Sequence, residues 1–278
     1  MGPDWDAGHP RVDLEYRTAM GTKAIDPQAI RNVTVMGHPD ETARVVHRLS
    51  RHLDKVGAAT PVAFRWTADG VDHTIRLAEL SSHTPIPDME RAIRLADGVV
   101  AVVNAASNRP ARLETMLRVA DDHQIARLCL VTGLDQPGAD FDRCVRAVAD
   151  SRGAAPLPLQ MPIGIDTEFA GAIDLVAMVT YEAADREPHG VQAVLAEQRR
   201  HRLLATVLGR PALPNPRTVS TERVHHLIRY RTRIGDVVPI LCSVAPRRID
   251  DVAPLLDALV RYLPSPMDVC QPAHVLDY

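Results

Sequence analysis

Short apolar runs alternate with amphipathic segments along most of the chain. That rhythm predicts a largely parallel, doubly wound α/β sheet. Val33-Thr34-Val35-Met36 reads as a strand, and Asp40 to about Val56 as a helix with Val45, Val46, Leu49 and Leu53 on one face. Pro61 to Ala68 and His73 to Leu77 read as strands joined by Asp69-Gly70, a dipeptide suited to a hairpin turn. A helix is predicted from Asp88 to Ala96, a buried strand from Gly98 to Val103, and a helix from Arg109 to His123. A strand from Leu128, a helix from Ala139 to Arg152, a late strand from Val237 to Val244 and a closing helix from Val252 to Tyr262 complete the series. Glu182 to Asp236 holds two further helix-like stretches around the proline-rich run GRPALPNPRT, which reads as an insertion packed on the domain edge.

Composition narrows the class. With 278 residues and 46% hydrophobic content the chain can bury a full core. A formal charge of -3 gives no general attraction to nucleic acid or anionic membranes, so no DNA or membrane partner is expected. The first residues contain no apolar leader and no run is long enough to span a bilayer, so the expected location is the cytoplasm. Cys129, Cys144, Cys242 and Cys270 lack metal-ligand spacing and read as buried thiols. No metal site is expected. Of 32 basic residues only Lys23 and Lys55 are lysines.

Several motifs in order resemble one family. Ile30-Arg31-Asn32 with Val33 to Met36 and His38-x-Asp40 is similar to I-R-N-I-x-I-x-A-H-x-D, and Met89 to Val103 is similar to the segment after switch II. The strand ending Thr132-Gly133-Leu134-Asp135, followed by Gln136 to Phe141, stands where the family has N-K-x-D and R-T-G-A-D-F. Val238 to Cys242 is similar to V-P-V-L-C, and Tyr262 to Val269 to Y-L-P-S-P-x-D-V. The chain thus resembles the GTPase domain of translation elongation factor G, and the implied fold is a P-loop NTPase-like sheet of translational GTPase type with a small helical insertion. The expected division is an N-terminal extension (1–29), a GTPase-like core (30–181), an insertion subdomain (182–236), the last strand and helix of the core (237–269) and a tail (270–278). In the family a β-barrel and three further domains follow; here nine residues follow Val269, so those parts are expected to be missing.

The resemblance also shows where the chemistry differs. A phosphate loop needs glycines, a lysine and a Ser or Thr hydroxyl for Mg²⁺. Gly37 to Val45 stands there, with Ala43 at the lysine position and Arg44 at the hydroxyl position; a one-residue slip lets Arg44 imitate the lysine. Asp40 and Glu41 add negative charge. Only Gly57 to Pro61 remains for switch I. For switch II, D-x-P-G-H in the family, Glu79 and His83 stand as candidate counterparts of Asp and His, although His83 reads more readily as a surface loop histidine. Asp135 matches the aspartate that accepts two hydrogen bonds from guanine, or else caps a turn before Pro137-Gly138. The nucleotide candidates are therefore Asp135, His38, Asp40, Arg44 and Glu79, and His83 is a weak catalytic candidate. The adjacent His225 and His226 point to different helix faces and do not suggest a shared metal. Arg199, Arg200 and Arg202, with Arg229, Arg231 and Arg233, are candidates for a protein or ribosomal partner, or else solvated helix faces.

The functional expectation is an elongation factor G-like pseudo-GTPase acting as a binding or regulatory module, with no cofactor. The alternative is a divergent, ribosome-associated translational GTPase that binds GTP or GDP with Mg²⁺.

Overall fold

A computed structural model describes residues 26–53, 62–107, 112–150, 155–164, 166–181, 188–209, 219–243 and 252–269. All but the last four residues (26–29) of the predicted N-terminal extension, the tail, the Gly57 to Pro61 segment and the proline-rich run after Gly209 lie outside the described residues; Pro27–Ala29 form a 3₁₀ turn capped by Asp26. β1 (Ile30–Gly37) leads through a single residue into α1 (Pro39–His52), and β2 (Val62–Ala68) and β3 (Val71–Ser81) form a hairpin. Asp69 and Gly70 both have positive φ, 51° and 77°, as a two-residue hairpin turn requires. α2 (Ile86–Arg94), β4 (Gly98–Asn104), α3 (Leu113–Asp122), β5 (Ala126–Thr132) and α4 (Phe141–Ala149) follow in strict alternation.

After α4 come β6 (Ala155–Pro158), β7 (Gln160–Ile163), β8 (Gly171–Asp174) and β9 (Val179–Tyr181), then α5 (Gly190–Leu208), α6 (Thr221–Arg233), β10 (Val237–Cys242) and α7 (Ala253–Tyr262). The main sheet has seven strands in the order β2-β3-β1-β4-β5-β10-β6, all parallel except β2. β7, β8 and β9 make a small antiparallel sheet. The fold class expected from the sequence is therefore present: a mostly parallel α/β sheet with helices on both faces.

Alternation along the central strands divides the core. Val33, Val35, Val100, Val102, Leu128 and Leu130 pack with Val45 and Leu49 of α1, Ile228 of α6 and Leu256 of α7. Val99, Ala101, Cys129 and Val131 face the other way, onto Met89 and Ile93 of α2, Met116 and Leu117 of α3, and Phe141 and Cys144 of α4. Each fully buried Leu, Ile or Phe contributes about 1.5–3 kcal/mol, so burial on both faces supplies most of the driving force. Of the two helices in the stretch read as an insertion, α5 packs on β6, β7 and α6, while α6 packs on β5, β10 and α7.

One polar link fixes the entry to the central strands. Asn32 donates from its backbone N–H and its Nδ2 to Asp97 Oδ2 at 2.9 and 2.8 Å, and Asp97 returns its N–H to Asn32 O at 2.8 Å. Burial raises the Asp97 carboxyl above the usual carboxylate range.

Candidate functional site

The carboxyl ends of β1, β4 and β5 and the first turn of α1 meet at one pole of the sheet, the position where open α/β sheets place their ligands. Only His38 separates β1 from α1. It is the N-cap, and its Nδ1 accepts the Asp40 N–H at 3.4 Å. Pro39 has no N–H to offer. The N–H groups of Glu41 and Thr42 both donate to His38 O at 3.0 Å. The backbone donors that a helix N-terminus presents to a phosphate are thus engaged within the helix itself.

Glu41 is the centre of what remains. Its Oε1 accepts from Arg44 Nη1 at 2.7 Å and from Asn104 Nδ2 at 3.0 Å, and its Oε2 accepts from the Thr132 hydroxyl at 3.0 Å. The Glu41 side chain is only 12% exposed, against 61% for Arg44. Asn104 ends β4 and Thr132 ends β5, so three elements are joined through one carboxylate. The amide of Asn104 is oriented because its Oδ1 accepts the Ala106 N–H at 2.8 Å, which leaves Nδ2 to face Glu41.

Gly133, at the position of the family's base-packing lysine, has φ +66°, and a Cβ there would lie 2.5 Å from Asn104 Oδ1. Gly37 is equally constrained: a Cβ on it would stand 2.8 Å from Val102 O. β1 and β4 approach so closely here that a side chain has no room.

The candidates from the sequence are only partly brought together. His38 and His83 meet edge to face, ring centroids 5.5 Å apart, with His83 exposed on the turn after β3. Asp40 is exposed, 3.8 Å from His38 Nδ1. Arg44 pairs with Glu41 rather than standing open as a lysine substitute. Glu79 lies within β3, exposed, and its carboxylate has no hydrogen-bond partner among the described residues. Asp135 is exposed just beyond β5, and it too has no partner among the described residues. Among the described residues Asp135 caps no turn; the side-chain cap nearby is that of α4, where Asp140 Oδ1 accepts the Arg143 N–H at 2.8 Å. The network on Glu41, Asn104 and Thr132 is not legible in the sequence as a unit. Its only signals there are a second acid beside Asp40 and a hydroxyl where the family has asparagine.

The six arginines do not form one open cationic face. Arg200 is buried and donates to Leu175 O and Val176 O. Arg199 pairs with Asp142, Arg229 and Arg233 with Asp268, and Arg231 with Asp236 while also donating to Val207 O. The Arg202 guanidinium has no partner among the described residues. It lies on α5, the helix that also carries the exposed Val191, Val194 and Leu195.

Of the cysteines, Cys129, Cys144 and Cys242 are buried free thiols. Burial raises all three, Cys144 to about 11. His225 is half-buried on α6 with Nδ1 2.7 Å from the Tyr262 hydroxyl, while His226 is exposed. Among the described residues no cluster of His, Cys, Asp and Glu could hold a metal, and no helix is long and apolar enough to cross a membrane.

The groups at the β1–α1 junction differ from those a phosphate loop uses for a nucleotide and Mg²⁺. The backbone donors there are engaged, the lysine position carries Ala43, and the side chain turned inward is an acid.

Known proteins supply the wider context. Elongation factor G of Orientia tsutsugamushi (strain Ikeda) is 35% identical over 214 residues, covering 71% of this chain and 30% of that protein. A crystal structure of a protein from Thermus thermophilus superposes with a TM-score of 0.60 at 16% identity, over 86% of this chain and 41% of that one, a likeness of fold. The chain therefore spans less than half the length of either. The family model of the elongation factor Tu GTP binding domain matches residues 86–265, from the start of α2 to just past α7. By that match across most of its length, the chain belongs to the elongation factor Tu GTP-binding domain family.

Proposed function

We propose that this chain is a GTPase-fold module that has given up nucleotide hydrolysis and acts by binding a protein or ribosomal partner. The observation that carries the reading is the β1–α1 junction. His38 takes up the first-turn N–H groups of Asp40 and Glu41, and Pro39 has none, so among the described residues the first turn of α1 offers a phosphate no open backbone donor beyond the cap. Charge-assisted hydrogen bonds are worth about 1.5–3 kcal/mol each, so losing a lysine and a metal-binding hydroxyl moves a micromolar site to roughly millimolar. Calorimetric titration of the protein with Mg²⁺-GTP tests this. No saturable heat is expected, and a micromolar, magnesium-dependent isotherm would overturn the reading.

The second reading, a divergent GTP-binding factor that works with the ribosome, is favoured by one observation. Asp135 stands exposed, with no partner among the described residues, where a base-recognising carboxylate belongs. On this reading GTP or GDP with Mg²⁺ is the ligand, and the phosphate contacts come from a rebuilt junction or from another chain.

For the partner, the outer face of α5 offers the better support. Arg202 has no ion-pair partner among the described residues there, and Val191, Val194 and Leu195 are exposed. Such contact weakens with salt only as far as Arg202 contributes.

A further inference from the structure

We propose that the pole of the sheet where the family holds nucleotide has become a carboxylate-receiving site built by Arg44, Asn104 and Thr132, with the side chain of Glu41 as its resident ligand. This rests on the reading that nucleotide chemistry has been lost, and it names what took the place. Three donors from α1, β4 and β5 converge on the two oxygens of one carboxylate at 2.7, 3.0 and 3.0 Å. An ordinary surface glutamate on a helix makes at most the i, i+3 pair seen with Arg44. The other two bonds come from residues 63 and 91 positions away in the chain, one of them buried Thr132.

The donor set discriminates by geometry. Asn104 cannot turn its amide without losing the Ala106 N–H, so it presents Nδ2. Thr132 presents its hydroxyl from a position only 7% exposed. Two side-chain donors and one guanidinium suit the two oxygens of a planar carboxylate. A phosphate would need further donors for its other oxygens, and the neighbouring N–H groups of Glu41 and Thr42 already serve His38 O. The close approach of Gly133 to Asn104 holds the arrangement from outside, because no side chain at 133 can push the amide away.

The test is thermal denaturation of the full chain carrying Glu41→Ala, in sodium acetate against sodium chloride at equal ionic strength. Removal of the resident carboxylate should lower Tm on the order of 5 °C. Acetate should restore it saturably in the variant and leave the unaltered protein unmoved, while acetate should have no such effect on Glu41→Ala combined with Thr132→Val. Restoration no better than chloride gives would overturn the proposal, as would inorganic phosphate restoring Tm at lower concentration than acetate. If Glu41→Ala does not fold, Glu41→Gln and Thr132→Val replace it: their Tm shifts should be less than additive in the double variant, and additive shifts would sink the idea. Failure here with no Mg²⁺-GTP binding by the unaltered protein removes only the carboxylate site. Binding of Mg²⁺-GTP by the unaltered protein removes the parent reading.

Discussion

Gly133 and Asn104 are in such close contact that a Cβ on the glycine would stand 2.5 Å from the Asn104 side-chain oxygen. Together with φ +66°, this closes the position to the lysine that the family uses over the guanine base. Restoring that lysine should therefore not restore binding. Gly133→Lys is expected to cost about 1–3 kcal/mol in urea denaturation and to gain no guanine nucleotide affinity by calorimetry. A stable, nucleotide-binding variant would show that the loop is freer than its geometry indicates.

Asp135 and Asp140, on either side of the Pro137-Gly138 turn, should respond by different amounts. Asp140→Ala removes the cap of α4 and is expected to cost about 1 kcal/mol. Asp135→Ala removes an exposed carboxylate with no described partner and should stay within about 0.5 kcal/mol of the unaltered protein. If a guanine nucleotide does bind, Asp135→Asn should move preference toward xanthine in competition experiments. Unchanged preference would place the base elsewhere.

Arg200 and Arg202 separate a structural arginine from an available one. Arg200→Met leaves the Leu175 and Val176 carbonyls without their donor and should cost about 2–4 kcal/mol. Arg202→Glu should leave stability unchanged while weakening capture of a partner. Reversing Arg229, Arg231 and Arg233 together breaks pairs with Asp268 and Asp236, so a loss of binding in that triple variant must be read beside its unfolding curve.

His225 should make the fold sensitive to mild acid. Burial first, then the positive charge of Arg261, holds its imidazole below the ordinary value, against the opposing pull of Asp174, Asp69 and Asp257. A lowered folded value means that the native state resists protonation. This contribution to stability is complete above the unfolded value of about 6.5 and is lost as pH falls through the lowered folded value. Urea midpoints measured from neutral pH downward should fall with acid, and His225→Gln should flatten part of that slope. His73, lowered by burial and Arg31, shares the same sign and keeps the remainder. An identical slope in the variant would assign the effect to other groups.

What the sequence made legible was the scaffold, and the structure shows why. Residues that match the family pattern have folding duties: Asn32 and Asp97 bind each other, Asp140 caps α4, Phe141 is buried, and Asp268 accepts from both the N–H and the hydroxyl of Ser265. Their spacing is set by local geometry, so it survives in a one-dimensional pattern. Of the four strands after α4, β6 and β7 are hidden from a sequence reading because Pro156, Pro158 and Pro162 interrupt the alternation, and β8 and β9 because they run for only four and three residues. β6 tolerates its prolines at the outermost position of the sheet, where one side needs no hydrogen bonds. The Glu41 network is hidden for a different reason. Asn104 and Thr132 lie 63 and 91 residues from Glu41 in sequence, and only the order β1-β4-β5 brings them together.

β10 enters the sheet between β5 and β6, although it is formed from residues 237–242. During synthesis β6 has no neighbour in the main sheet until β10 emerges, since its ladder in that sheet is with β10 alone. The opposite edge waits too: Trp66 of β2 donates to Asp257, and Asp69 of the hairpin turn receives Arg261, both from α7. One end of the sheet is therefore closed by β10 and the other braced by α7, so a nascent chain carries the unpaired edges of β5 and β6 until residues 237–242 arrive and an unbraced β2 until residues 253–262 follow. Its exposure to proteases and to misassembly lasts until β10 and then α7 are added.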